Sequence, residues 1–494
     1  MPNPEPQPDR AAHAVARPHV PFGVIVAIAC VAQFMVVLDS SIVNVALPSM
    51  RTALGLSATA QQWVVDGYLI AFGGLLLLAA RAGDLFGRRR VLQAGLVVFT
   101  LASLVGGLAQ DGAVLLAARI TQGVGAAALA PSSLSLIMAG HSDPRRRTRA
   151  LTWWGVAASS AGATGMVLGG VLTAELDWRW VFFVNIPIGL VLLIATVVFL
   201  LPSPPADRRP ALDLPGALTV TSGVAALVYG ISVAPSDGWG SARVIVPLVA
   251  AAVLLTGFVL LERRANAPLV PLSLFAHPDL RTANVLMLCL GVVITAPLFF
   301  LSLYLQQVLG ESALRAGLSL LPMAVVLSGG VLVSRRLLPV VGPRWLILAG
   351  GLTSAAGLVW LAHLPTHSAY AGHLLIPTLL AGVGMSVMVL PITGAATAGV
   401  DPRDAGVASG LANMGRQVGG ALGLAALATL AASATSHSTT HGAAAVVHGY
   451  DTALFAVAGV SALAALLGRL LKTGPAARPA VAPASATGAK TLTR

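Results

Sequence analysis

Of the 494 residues, 56% are hydrophobic and 10% charged, and the mean hydropathy is +0.85. Soluble globular domains carry roughly 25% charged residues, so this composition excludes a soluble protein and points to an all-α polytopic membrane protein. The net charge of +12 lies mostly in short segments between apolar runs, which argues against nucleic-acid binding and for basic cytoplasmic loops.

The first 21 residues are polar and Pro-rich and read as a disordered tail. The apolar run that opens at Phe22 is too long for a signal-peptide core and has no small-residue cleavage site, so it reads as an uncleaved first span. A span needs about 20 apolar residues. That measure predicts fourteen helical spans, at 22–47, 60–80, 91–109, 112–139, 149–172, 180–201, 213–233, 243–263, 281–307, 314–334, 343–362, 371–399, 404–432 and 451–471. The expected organisation is a six-helix domain over 22–202, a two-helix insert with its linkers over 203–265, a second six-helix domain over 266–472 and a tail over 473–494.

Arg and Lys set the orientation. With the N-terminus inside, only Arg51, Arg179, Arg243 and Arg315 fall in outer loops, and Arg119 and Arg416 fall within spans. All the other Lys and Arg residues, of 30 in total, fall inside. Both termini are therefore expected in the cytoplasm, with the chain in the cell's cytoplasmic membrane.

Three charged side chains stand well inside the first spans. Asp39 lies in the middle of LDSSIVNVALP (38–48), Asp66 in WVVDGYL, and Arg119 at the start of RITQGVGAAALAP (119–131). A carboxylate in a span is costly and marks a functional site by default. Counted from the predicted span ends at 1.5 Å per residue, the three lie roughly 12, 9 and 10 Å in. A buried guanidinium requires a carboxylate, and Arg119 is expected to pair with Asp39. In the thirteenth span Arg416 and Gln417 lie near mid-depth, and no acid is available there as a partner.

The chain repeats itself. GVGAAALAPSSL from Gly123 is similar to GVGMSVMVLPIT from Gly382, and each is followed by an Asp-Pro-Arg turn, at Asp143 and at Asp401. Cys30 and Cys289 fall at similar positions in the first and ninth spans, and read as small packing residues rather than a disulfide. Two parallel six-span copies are the pattern of a rocking transporter. His437 and His441 stand four residues apart but have no Cys or carboxylate beside them, so they read as loop residues and no metal site is expected. No GxxxxGK[ST] nucleotide loop occurs. No nucleophile–base cluster stands out, so neither ATP drive nor an enzyme is expected.

Together with GDLFGRRR (83–90), DWRWVFFVNIPIG (177–189) and ASGLANMGRQVGGALG (408–423), the first-span and fourth-span motifs resemble those of the fourteen-span drug:proton antiporters of the major facilitator superfamily, the EmrB/QacA type. The resemblance covers roughly residues 22 to 471. It implies the major facilitator fold and export of lipophilic compounds, driven by the proton gradient with no cofactor. The expected partners are small hydrophobic substrates, protons and membrane lipid, with the protein a monomer. Asp39, Arg119 and Asp66 then belong to proton coupling. An acid at Asp66 resembles the subset that exports organic cations. Gln33, Asn44, Asp66, Gln122, Tyr304 and Arg416 are the candidate substrate contacts. Gly83, Asp84, Gly87 and Arg88 correspond to a conformational latch, although Ala80 stands where that motif begins with Gly. Gly155, Gly162, Gly165 and Gly169 correspond to the antiporter motif of span five and are expected to bring helices close. Met166 stands where that motif has Pro. A dedicated exporter of a self-made metabolite or siderophore would share all of these features.

Overall fold

The computed structural model describes residues 21–139, 143–200, 212–265, 268–366, 370–400 and 404–471. Both expected tails before Pro21 and after Leu471, Arg208, Arg209, His367 and the Asp401-Pro402-Arg403 turn lie outside the described residues. Among the described residues, fourteen helical segments are long and apolar enough to cross a membrane.

Capping side chains open several of the helices. The first helix, α1, runs Phe22–Leu54. Ser57 begins α2 (Ala58–Phe86), its side chain accepting from the Ala60 N–H at 3.1 Å. The third helix, α3, covers Arg88–Gly107. Asp111 accepts from the N–H groups of Ala113 and Val114 to open α4 (Gly112–Ala139). Asp143 does the same at Arg145 for α5 (Pro144–Glu175), with Pro144 in the first turn, where its missing N–H costs nothing. The sixth span is broken at Val184 into α6 (Trp180–Phe183) and α7 (Asn185–Phe199). Next come α8 (Leu214–Asp237) and α9 (Ala242–Arg264). The following spans are α10 (Pro278–Leu303), α11 (Ala313–Val341), α12 (Pro343–Leu361), α13 (Ile376–Ala395), α14 (Ala405–Ser436) and α15 (Ala443–Leu467). A π-helical turn over Tyr304–Val308 prolongs α10, and another over Tyr370–Leu375 precedes α13.

Several helices outrun the sequence estimate. The first continues through Pro48 to Leu54 and stops only at Gly55, whose φ of +61° turns the chain out of the helix. A proline removes one backbone bond and an apolar face does not end there, so length read from hydropathy falls short. Asp39 is thereby about 22 Å from the C-terminal end of its helix, near its middle rather than toward the outer end.

The chain divides into two compact units, up to Ala217 and from Leu218. In the first, α1 packs along α5, α4 lies against α2 and α3, and α3 meets α7. The second unit repeats this pattern: α10 on α14, α13 against α11 and α12, and α12 on α15. The close approaches repeat too. A Cβ on Gly165 would stand 2.8 Å from the Ser41 Cβ and 3.0 Å from the Leu38 carbonyl, and one on Gly419 would overlap the Leu288 carbonyl. This register matches Leu38 with Leu288, so the counterpart of Cys289 is Asp39 and not Cys30. In the insert, Gly223 and Gly230 admit Leu255 and Leu248 of α9, and Thr429 of α14 donates to the Ile231 carbonyl at 2.9 Å.

Candidate functional site

Five of the six spans of the first unit meet around Arg119. Its side chain is 1% exposed and that of Asp39 0%. Arg119 Nη1 donates to Asp39 Oδ2 at 2.6 Å and to Gln122 Oε1 at 2.9 Å, and Nε donates to the Val64 carbonyl at 3.0 Å. The guanidinium lies 4.4 Å from the centroid of the Tyr68 ring, whose hydroxyl donates to the Val36 carbonyl at 3.2 Å. Gln122, one helical turn after Arg119, donates to Asp39 Oδ1 at 3.0 Å and to Ser103 Oγ at 2.8 Å. Asn185 Nδ2 donates to the same Oδ1 at 3.2 Å. Asp39 thus accepts from three side chains on two helices. A fully buried ion pair offsets its desolvation only when its remaining lone pairs are satisfied in this way.

Asp66 is equally buried but differently served. Gln62, four residues earlier on α2, donates to its Oδ2 at 2.6 Å. Among the described residues its Oδ1 has no hydrogen-bond partner and the carboxylate has no ion pair. Asp66 is 0% exposed, in keeping with its expected place well inside the second span.

The other candidates separate. Gln33 is buried on α1, with its Oε1 unbonded among the described residues. Asn44 is half-buried, and its Nδ2 donates back to the Ser40 carbonyl at 2.9 Å, outside the Asp39 network. Tyr304, in the second unit, is a correction. It is wholly buried and its hydroxyl donates to the Pro365 carbonyl at 2.5 Å, so it braces a loop rather than offering a polar group to a ligand. Arg416, in the same unit, is half-buried and finds the partner the sequence did not supply: its Nη2 donates to Asn413 Oδ1 at 2.9 Å.

At the turn after α2, Gly87 has φ +95°, a conformation suited to glycine. Asp84 lies 3.5 Å from Arg88, and Arg88 donates onward to the Ser135 carbonyl of α4 at 3.1 Å. Arg89 reaches the Val197 carbonyl of α7 at 2.9 Å. The turn is therefore tied to two neighbouring helices. Gly83 is buried, and a Cβ there would meet only Ser132 Oγ, at 4.0 Å.

Of the span-five glycines, Gly165 and Gly169 bring α5 onto Leu38, Ser41 and Ile42, and Gly162 stands at ordinary distance from Ser41. Gly155 is a second correction: among the described residues nothing lies within 4 Å of a Cβ there, so it brings no neighbouring helix close. Sequence reasoning missed Asn185, Ser103 and Tyr68 as members of the network. Asn185 carried a signal, one amide within FFVNIPIG. A lone Ser or Tyr in an apolar span carries none.

The family model described as the Major Facilitator Superfamily matches residues 29–424. The cephamycin export protein CmcT of Amycolatopsis lactamdurans is 46% identical, over 83% of this chain and 85% of that one. The puromycin resistance protein pur8 of Streptomyces alboniger is 41% identical, over 91% of each chain. Among solved structures, the POT family transporter PepTSo is similar with a TM-score of 0.66 at 15% identity, covering 91% of this chain and 97% of that one. A bacterial homologue of the lysosomal transporter Spinster, in its inward-facing and occupied conformation, gives 0.65 at 16%, covering 92% and 97%. These two support the fold. By the family match and the identity to its relatives, the chain belongs to the Major Facilitator Superfamily.

Proposed function

We propose that the protein exports lipophilic, cationic antibiotics from the cell in exchange for inward-moving protons, by alternating access. The observation that carries this reading is the pair of fully buried acids in unlike settings. Asp39 is neutralised by Arg119 and held by two amides, whereas Asp66 has, among the described residues, one amide and no cation. An acid of the second kind is suited to hold a proton or a cationic substrate in turn. An acid of the first kind makes the packing of α1, α4 and α7 depend on its charge. Protonation of Asp39 would strip Arg119 of its counter-ion and force the network to rearrange, which couples proton arrival to helix movement.

In this reading the protein is a monomer in the bacterial cytoplasmic membrane with both termini in the cytoplasm. It uses no nucleotide or other cofactor and catalyses no covalent step. Gln33 and Asp66 are the substrate contacts of the first unit and Arg416 that of the second. The turn at Gly83, Asp84, Gly87 and Arg88 acts as the latch. The test is efflux from proteoliposomes. Transport should follow an imposed pH gradient and ignore ATP, and ATP-driven transport without a gradient would refute the reading.

The relatives leave a second reading on the same fold equally open, since several are tied by name to one antibiotic each, among them cephamycin, puromycin and tetracenomycin C, while another is a multidrug resistance protein. Dedicated export of one self-made compound would use the same acids. A resistance panel in an efflux-deficient host separates the two: protection against several unrelated drugs supports multidrug export, and protection against one supports the dedicated exporter.

A further inference from the structure

Between the N-terminal turns of α1 and α5, beside the small core of Ala29, Ile137 and Ala150, lies a groove of about 920 Å³. Val26 and Cys30 of α1 line one wall and Trp153 and Val156 of α5 the other, with Arg146 and Arg149 at the rim. Among the described residues these two are the only charged ones on the lining, and none there is an acid. Arg149 has no ion pair among the described residues. Arg146 lies 3.8 Å from Asp143, with its side chain 65% exposed. From Arg149 to Val156 the wall rises about 10 Å. Trp153 is 60% exposed on the way, the setting of an aromatic at the level of lipid headgroups.

We propose that this groove binds one anionic phospholipid of the inner leaflet. Its phosphate sits between Arg146 and Arg149, and its acyl chains lie along Val26, Cys30 and Val156. Basic pockets between spans on the cytoplasmic side are suited to such headgroups. The assignment of leaflet rests on the cytoplasmic orientation proposed above; the charge and shape of the groove do not depend on the transport reading.

Cys30 provides the probe, because it lines the groove and the other cysteine, Cys289, can be replaced. In purified full-length Cys289→Ala protein in detergent micelles, the rate of Cys30 alkylation by a lipophilic maleimide is followed as phosphatidylglycerol or phosphatidylcholine is added. Each arginine beside an anionic headgroup is worth roughly a fivefold preference. Phosphatidylglycerol should therefore slow alkylation at concentrations about twenty-fivefold lower than phosphatidylcholine requires. Arg146→Gln/Arg149→Gln should erase that difference and Arg146→Lys/Arg149→Lys should keep it. Equal protection by the two lipids would overturn the proposal, a result that needs no rim variant to fold. Full preference retained in the glutamine variant would also overturn it. A third arm removes residues 2–20. The lipid preference should persist without them. If Cys30 is instead shielded in lipid-free micelles and freed by the deletion, the occupant is the chain's own N-terminal segment and the lipid site is refuted.

Discussion

The two six-helix repeats pack alike and are polar to very different degrees. Gly123 and Gly125 of α4 lie against Tyr68 and Phe99, and Gly382 and Gly384 of α13 lie against Met323 and Ser354 in the same way. Carried through that register, Arg119 corresponds to Thr378, Gln122 to Ala381, Tyr68 to Met323, Ser103 to Leu358 and Asp66 to Leu321, and the register of α1 with α10 sets Asp39 against Cys289. One repeat holds a buried ion pair with its amides where the other holds small and apolar side chains. The second unit shows that the helix pairing needs no charge. The charges of the first unit are therefore not what the fold requires, and the coupling role proposed above is what would account for them.

The comparison is broken most forcefully at Arg119. Removing one partner of a buried pair costs about 3–5 kcal/mol because the other charge stays buried. Arg119→Ala and Asp39→Asn should each lower the amount of protein in the membrane and abolish efflux of every substrate, measured by quantitative blotting beside transport. Writing the second repeat's residues into the first, as Asp39→Cys/Arg119→Thr/Gln122→Ala, removes both charges together. That variant should recover the amount of protein and not the transport.

Asp66→Asn is a milder change, since no buried cation is left behind. The variant should accumulate normally, lose efflux of a cationic drug and retain part of the efflux of a neutral one, with each rate normalised to membrane protein. Undiminished cationic efflux would end the assignment of Asp66.

Glycine substitutions test the shared packing. Gly165→Ala and Gly419→Ala each force a methyl onto a neighbouring helix and should each cost about 1–3 kcal/mol, read as a lowered melting temperature. If only the first-unit variant were destabilised, the repeats would not share a scaffold. Gly155→Ala enters open space and should gain up to about 1 kcal/mol from helix propensity alone.

Much of the scaffold was legible because apolar run length is a one-dimensional signal. All fourteen spans could be read, including the two of the insert, and errors fell at helix ends such as Pro48. The Asp39–Arg119 pair was legible because a buried charge limits its possible partners. The polar shell around it was harder to read. Gln122 was expected as a substrate contact, and its place in the hydrogen-bond shell of Asp39, Arg119 and Ser103 was not foreseen. Ser103 and Tyr68 join through contacts between helices distant in sequence, which composition does not encode. The repeat register of α1 was misjudged because two cysteines looked like markers, whereas the glycine contacts decide it. Gly155 was misjudged because a small residue at helical spacing implies close approach only where its own face of the helix meets a neighbour.

The most direct test uses the variant carrying Asp39→Cys, Arg119→Thr and Gln122→Ala, purified, shown to be folded by its thermal transition and reconstituted into proteoliposomes. Efflux of a cationic drug is then measured with and without an imposed pH gradient. If the network couples protons to transport, the folded variant moves drug no faster with the gradient than without it. Gradient-driven efflux at the unmutated rate would mean that the pair only holds helices together and that coupling resides elsewhere.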